Sequence, residues 1–245
     1  GLSYRFSESG TVVLSVAGGA DETVLSPVTV EGVREPSLGL LGNLSPVYPG
    51  GQVARGGQAG LLGNRDNLDT PFNTTNYTAQ TIQDQQARRI PDLVANDPAV
   101  RAASASDGIF DHYVIRGFDV SSVDYSLNGL AHVLPTDVVM PELFERVEVM
   151  KGPTAFINGM SPLGAIGGSI NMVAKRAPDM ALNEITGDFA PDSQFGGHVD
   201  VARRFGKDKA LVIRFNGVYR DGDTASADQE ERHGLAAVAM QYRGE

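Results

Sequence analysis

The sequence contains no cysteine, which excludes a disulfide framework, a thiolate metal site and a cysteine nucleophile together. It has no run approaching about 18 consecutive apolar residues, so it encodes no transmembrane helix. Membrane β-strands stay open, because they are short and alternate in polarity. Basic residues are in the minority, 20 Lys+Arg against 30 Asp+Glu for a net charge of −10, which argues against a nucleic-acid partner. The 245 residues open Gly1-Leu2-Ser3, without an initiator Met or a signal segment. They stop at Gly244-Glu245 straight after a strand-like run, so both ends read as cut from a longer polypeptide. What is plentiful is turn chemistry: 29 glycines and 13 prolines point to many connections rather than to a helix bundle.

Residues 1–17 alternate in polarity on either side of Ser9-Gly10, the pattern of a β-hairpin. A lone hairpin is marginal in water, so it reads as the last piece of a preceding domain. Residues 18–65 are punctuated by Pro27, Pro36, Pro46 and Pro49 and by glycine pairs, the composition of a linker. Inside it Val24 to Glu31 is β-prone, either a chance cluster or a docking peptide that adds a strand to a partner's sheet. Residues 70–178 read as an α+β domain. Thr81 is the expected N-cap of a helix running through Arg88 and ended before Pro91. Strands are expected at Tyr113–Arg116, Tyr125–Leu130 and Arg146–Met150, and a glycine-dense segment, Asn158–Ser169, leads into another at Ile170–Val173.

From about residue 183 the strands lengthen and become two-faced. Ile185, Gly187 and Phe189 share one side, as do Val199, Val201 and Phe205. Leu211, Ile213, Phe215, Gly217 and Tyr219 oppose Arg214, Asn216 and Arg220. Such strands fit a membrane barrel with a wet interior, and equally a soluble antiparallel sheet.

No catalytic constellation emerges. Gly159-Met160-Ser161-Pro162-Leu163-Gly164 approaches a hydrolase elbow, but its second glycine comes one residue late. Pro162 also lacks the N–H that would face an oxyanion. Lys151 precedes Gly152-Pro153 and forms no phosphate loop. His112, His132, His198 and His233 show no metal-pair spacing. Glu142, Glu145 and Glu148 recur every three residues, and on a strand Glu145 and Glu148 fall on opposite faces, so solvated or Arg-paired roles are expected.

Several motifs are specific in combination. They are Tyr48-Pro49-Gly50-Gly51-Gln52-Val53-Ala54, Gly60-Leu61-Leu62-Gly63-Asn64-Arg65, Asp69-Thr70-Pro71-Phe72, Ile115-Arg116-Gly117-Phe118 and Asn128-Gly129-Leu130. The strongest is Glu145-Arg146-Val147-Glu148-Val149-Met150-Lys151-Gly152-Pro153 with Asn158-Gly159. Gly164 to Arg176 and Asp200 to Gly206 complete the set. With these the chain resembles the TonB-dependent outer-membrane receptors of the ferric-siderophore branch.

The resemblance implies an α+β plug domain with a small mixed sheet, followed by the first antiparallel strands of a transmembrane β-barrel of about 22 strands. The implied segments are 1–20, the tail of a periplasmic signalling domain; 21–66, the TonB box and linker; 67–178, the plug; and 179–245, the first barrel strands. Past Pro178, at about ten residues per strand, roughly four strands fit, so the barrel is incomplete. Leu25, Ser26, Pro27, Val28, Thr29 and Val30 become the TonB box, with Pro27 at the edge of the pairing because it donates no backbone hydrogen bond. Arg116 and Lys151 are expected to pair with acids on the barrel wall. The turns Ser106-Asp107-Gly108, Val120-Ser121-Ser122 and His132-Val133-Leu134 are the ligand-binding candidates.

The implied function is import of a ferric siderophore at the outer membrane of a Gram-negative bacterium, without enzymatic activity. The iron is carried as a chelate, and neither a cofactor nor a resident metal is expected. The implied partners are the TonB C-terminal domain, the chelate, outer-membrane lipid and, through the signalling domain, an anti-sigma factor. The alternatives are the same superfamily carrying vitamin B12, haem or an oligosaccharide, and a soluble periplasmic binding module.

Overall fold

The computed structural model describes residues 2–6, 12–16, 44–104, 108–160, 166–178, 180–190, 193–206, 209–224, 226 and 228–242, the first two stretches as backbone only. Two compact units result, 1–37 and 38–245. In the first, β1 (Leu2–Phe6) and β2 (Val12–Val16) pair antiparallel from Leu2↔Val16 to Phe6↔Val12, the expected hairpin. The β-prone segment Val24 to Glu31 lies outside the described residues.

The second unit begins with a small two-stranded sheet, β3 (Gly56–Gln58) and β4 (Asn64–Asp66). Next come β5 (Asn73–Thr78), the helices α1 (Ala79–Asp84) and α2 (Ile90–Val94), and the three-stranded sheet of β6 (Val100–Ala102), β7 (His112–Ile115) and β8 (Phe118–Ser121). Short β9 (Ser126–Leu127) and β10 (Leu130–Ala131) precede β11 (Phe144–Lys151), α3 (Ala155–Asn158) and β12 (Gly168–Ala174). The central mixed sheet runs β10-β9-β12-β11-β5, with β9 and β12 parallel and the other pairs antiparallel.

Three local expectations are corrected. The cap of α1 is Thr78, whose hydroxyl accepts the Thr81 N–H at 3.3 Å. Pro91 opens a second helix instead of closing the first, since a first-turn proline gives up an N–H that has no intrahelical partner. The Asp92 carboxylate takes the Arg88 and Arg89 N–H groups at that end, each at 3.0 Å. The strand expected from Tyr125 to Leu130 divides into β9 and β10 around Asn128 (φ 50°) and Gly129 (φ 82°), a tight hairpin turn.

The central sheet has unlike faces. Tyr77, Val147, Val149, Ile170 and Met172 point into an apolar core with Ile82, Ile90, Leu93, Tyr113 and Ile115 from the helices and the three-stranded sheet. Across the other face the register aligns Ser126, Asn171, Glu148 and Asn76 in one transverse row. β3 covers this row: the Gln58 N–H donates to Glu148 Oε2 at 3.1 Å and Asn171 Nδ2 donates to the same oxygen at 2.8 Å. Beside it opens a groove of about 800 Å³, bordered by Gln58, Ser126, Phe156 and Asn171 among others.

The remaining strands, β13 (Leu182–Ala190), β14 (Gln194–Phe205), β15 (Leu211–Asp223) and β16 (Glu230–Tyr242), form one antiparallel meander in chain order. They are long and regularly paired, with β15 and β16 in register from Leu211↔Tyr242 to Asp223↔Glu230.

Gly60 sets the seat of the β3–β4 sheet. Its φ is +51°, and a Cβ there would collide with the Ile157 carbonyl oxygen of α3. Gly60→Ala is expected to lift this sheet from α3 at a cost of about 1–3 kcal/mol. The check is amide hydrogen exchange, which should accelerate over residues 56–66 and not over β11 or β12.

Candidate functional site

The four-stranded wall is amphipathic in the reverse sense of a soluble sheet. Its buried face carries His198, Asp200, Arg214 and Asn216 among small apolar residues, Ala190, Ala202, Val212 and Val218. Its large apolar side chains, Ile185, Phe189, Phe195, Phe215, Val238 and Met240, are exposed, Ile185 to 82%. A sheet that hides its charges and shows its hydrocarbon fits a lipid-facing wall rather than a soluble sheet.

The polar side of the wall is clasped to the α+β domain. Asp200, fully buried, accepts Arg214 Nε and Nη2 at 2.7 Å each, Lys175 Nζ at 2.9 Å and Asn216 Nδ2 at 3.2 Å. Arg214 also donates from Nη1 to the Arg176 carbonyl at 2.6 Å and lies 3.7 Å from Glu145. Asn216 Nδ2 donates to the Glu142 carbonyl at 3.2 Å, and Arg220 bridges Glu142 and Asp188. Level with Asp200, Gln83 donates to Glu184, and at the far end of β13 and β14 Arg88 donates to Gln194. The expected Arg pairing of Glu142 and Glu145 is thus present, supplied by the wall. Glu148 is corrected: it is neither solvated nor in an ion pair with an arginine, but buried under β3. Burial pushes its carboxyl up, against the two N–H donors that steady the anion.

Among the described residues, Gly108, the 120–122 turn and the segment ending at Thr136 are tied together at one end of the α+β domain. The Ser122 N–H donates to the Asp111 carbonyl at 3.0 Å, and the Ser122 hydroxyl bonds the Thr136 carbonyl, tying the 120–122 turn to its neighbours on both sides. Beneath them lies a buried group that sequence reasoning missed. Arg89 Nη2 donates to Asp111 Oδ1 at 2.7 Å and to the Gly108 carbonyl at 2.8 Å, and Tyr125 Oη donates to Asp111 Oδ2 at 3.5 Å and to Tyr113 Oη. Burial, with the Asp111 charge nearby, holds both tyrosine hydroxyls well above their ordinary range. This platform is assembled from α2, β7 and the β8–β9 connection, so no local motif announces it.

Individual candidates fare differently. Ser106 and Asp107 lie outside the described residues, as do Leu25 to Val30. Gly108 is on the platform. Val120 is in the core at 1% exposure and Ser122 is buried at 3%, so neither side chain reaches the surface. Ser121 is half-buried and its hydroxyl accepts the Val123 N–H. His132 (φ 60°) and Val133 are exposed, and Leu134 packs partly against the core.

Arg116 and Lys151 sit together at another place, lining a shallow recess with Asp97, Thr75 and Tyr77. Lys151 Nζ lies 2.5 Å from Asp97 and donates to Thr75 at 3.0 Å, so its nearest acid belongs to the α+β domain itself. Arg116, at φ 52°, has no ion pair among the described residues.

Comparison with known proteins agrees with this arrangement. The family described as TonB-dependent Receptor Plug Domain matches residues 66–168. The ferrichrome receptor FcuA of Yersinia enterocolitica is 42% identical over 226 residues, 92% of this chain and 30% of that protein. The crystal structure of BauA, the ferric preacinetobactin receptor from Acinetobacter baumannii, superposes with a TM-score of 0.78 at 46% identity, over 82% of this chain and 30% of that one. The ferripyoverdine receptor of the outer membrane of Pseudomonas aeruginosa covers 99% of this chain at a TM-score of 0.69; at 17% identity it speaks for the fold alone. The chain spans about 30% of the length of the first two relatives.

Two outcomes follow from this geometry. Asp200→Asn leaves Arg214 and Lys175 buried without their carboxylate, and is expected to weaken plug–wall docking by about 3–5 kcal/mol, read as a lower unfolding temperature. Asp97 is the second case. Burial works to raise its carboxyl, but the Lys151 hydrogen bond and charge and the Ala99 N–H outweigh it and hold the group below its ordinary value. A depressed carboxyl contributes stability above its unfolded pKa and loses it as pH falls through the folded value. The wild type should therefore lose stability below about pH 4 more steeply than Asp97→Asn, measured by thermal unfolding across that range.

Proposed function

With residues 66–168 forming a TonB-dependent receptor plug, we propose that this chain is the gate-bearing part of an outer-membrane importer of ferric siderophores. The observation that carries the reading is the wall: its apolar face is exposed and its polar face grips the plug through Asp200, Arg214, Asn216 and Arg220. A plug held by many separate polar contacts on the inside of a lipid-facing wall closes the passage and leaves a way to open it. Hydrogen bonds and ion pairs can be exchanged for water one at a time, whereas an apolar seam would expose hydrocarbon as it parted.

The importer faces a scarce, bulky ferric chelate and has no nucleotide triphosphate outside the cell. Capture falls to the turns around Asp111, which lie toward the Gln194 end of the wall because Arg88, beside the platform residue Arg89, reaches Gln194. The linker enters at the other end, where Gln52 bonds Asp84 and the neighbouring Gln83 reaches Glu184. Leu25 to Val30 is the TonB box and pairs as a strand with the TonB C-terminal domain, so that backbone hydrogen bonds carry the pull. Arg116 meets a carboxylate of the wall beyond these four strands, and Lys151 faces the same way while held by Asp97. Ferric iron is the cargo, held by its chelator. The β1–β2 hairpin is the tail of a signalling domain whose partner is an anti-sigma factor.

Thr29→Pro in the full-length receptor removes a backbone donor from the box and is expected to abolish energised uptake of labelled ferric chelate while chelate binding stays at the wild-type level. Uptake that survives the substitution would remove the box assignment. Absence of both binding and uptake for every chelate offered would remove the siderophore reading.

A further inference from the structure

We propose that the capture end of the plug selects an uncharged ferric chelate, the neutral tris-hydroxamate class, over multiply anionic catecholate and carboxylate chelates. This deepens the importer reading above and rests on it.

Charge at the capture end is one-sided. From Ala102 to Asp137, the stretch that supplies all three capture turns, the sequence has five aspartates and one Lys or Arg, Arg116. Arg116 is at the wrong end of its hairpin: β7 and β8 pair from His112↔Ser121 at the capture end to Ile115↔Phe118 beside Arg116. Its N–H bonds the Ala99 carbonyl, and its guanidinium lies near Gly152.

The arginines that approach from other elements are engaged or set back. Arg89 is buried on Asp111 and the Gly108 carbonyl, and Arg88 donates to Gln194 of the wall. Arg101 is exposed but stands lower on β6, level with Val114. What the capture end offers instead is hydrocarbon and a few neutral polar groups. Ile109 is 71% exposed, Val133 55% and Phe110 50%, Ser104 and Ser121 are half-buried, and Asp137 is exposed.

An anionic chelate moved onto this surface gives up hydration and finds carboxylates of its own sign, with no guanidinium or ammonium to compensate. An uncharged chelate sheds far less hydration, and its carbon backbone matches Ile109, Phe110 and Val133. The fold sharpens the choice by burying the Arg89 guanidinium on Asp111.

The test uses the full-length receptor in detergent at pH 7.5, titrated with a neutral ferric tris-hydroxamate, a ferric tris-catecholate and a ferric α-hydroxycarboxylate. Wild type and Ile109→Arg are compared, because Ile109 is solvent-exposed and its replacement leaves the core untouched. The neutral chelate should bind wild type more tightly by about tenfold or more. Ile109→Arg should narrow that gap, and added salt should restore it by screening the new charge. Wild-type binding of an anionic chelate as tight as that of the neutral one overturns the proposal. So does a ratio that Ile109→Arg leaves unchanged, since selection would then lie in the barrel loops. In either case ferric-chelate import itself stands. If none of the three binds and cells take up none of them, the importer reading fails, and this inference with it.

Discussion

A charge taken out of water must be met by a partner in the same place, and Asp200 is where this structure meets that demand most fully. Its two oxygens receive donors from Arg214, Lys175 and Asn216, which come from the neighbouring wall strand and from the end of the plug. Because three pieces of chain share one carboxylate, neither the plug nor the wall can shift there without uncovering a buried charge. The rest of the architecture follows from this constraint. The polar side of β14 and β15 must face the plug, so the apolar side must face outward, and outward has to be lipid for Ile185, Phe215 and Met240 to be tolerated.

The same economy appears inside the plug. One face of the central sheet is an ordinary apolar core, and the other carries the row Ser126, Asn171, Glu148 and Asn76 under β3. Glu148 tolerates burial because Asn171 and the Gln58 backbone donate to it. The segment that leads in from the linker is thus held to the plug by these hydrogen bonds together with a small apolar cluster in which Ala59 and Leu62 meet Met150 and Ile157. The end of the plug around Asp111 repeats the device, with Arg89 neutralised on that carboxylate.

How much of this was legible in the sequence depended on the range of the interaction. Period-2 alternation exposed the wall strands, since the odd positions of β15 stay apolar from Leu211 to Tyr219. Alternation could not say which side faced the protein, and that needed the plug in place. Local chemistry misled where two residues offered the same group: Thr78 and Thr81 both carry a hydroxyl, and only the path of β5 into α1 makes Thr78 the cap. Pro91 was ambiguous in the same way, because proline stops one helix and starts another equally well. Partners distant in sequence left no trace at all. Arg89 and Asp111 are 22 residues apart, and Glu142 and Arg220 are 78. Val120 and Ser122 read as a surface turn because turn composition says nothing about the neighbour that covers it.

The central claim is that β13 to β16 stand with their apolar face in lipid and their polar face on the plug. The native sequence has no cysteine, so single cysteines can be introduced one at a time along β15 of the full-length receptor, at positions 212 to 219, and spin-labelled in bilayers. Accessibility to dissolved oxygen, which partitions into lipid, and to a water-soluble nickel chelate then reports the environment of each position. Labels replacing Ile213, Phe215, Gly217 and Tyr219 should be open to oxygen and shielded from nickel, and labels at Val212, Arg214, Asn216 and Val218 shielded from oxygen. A profile without that alternation, or one in which the odd-numbered positions are wet, would contradict the account.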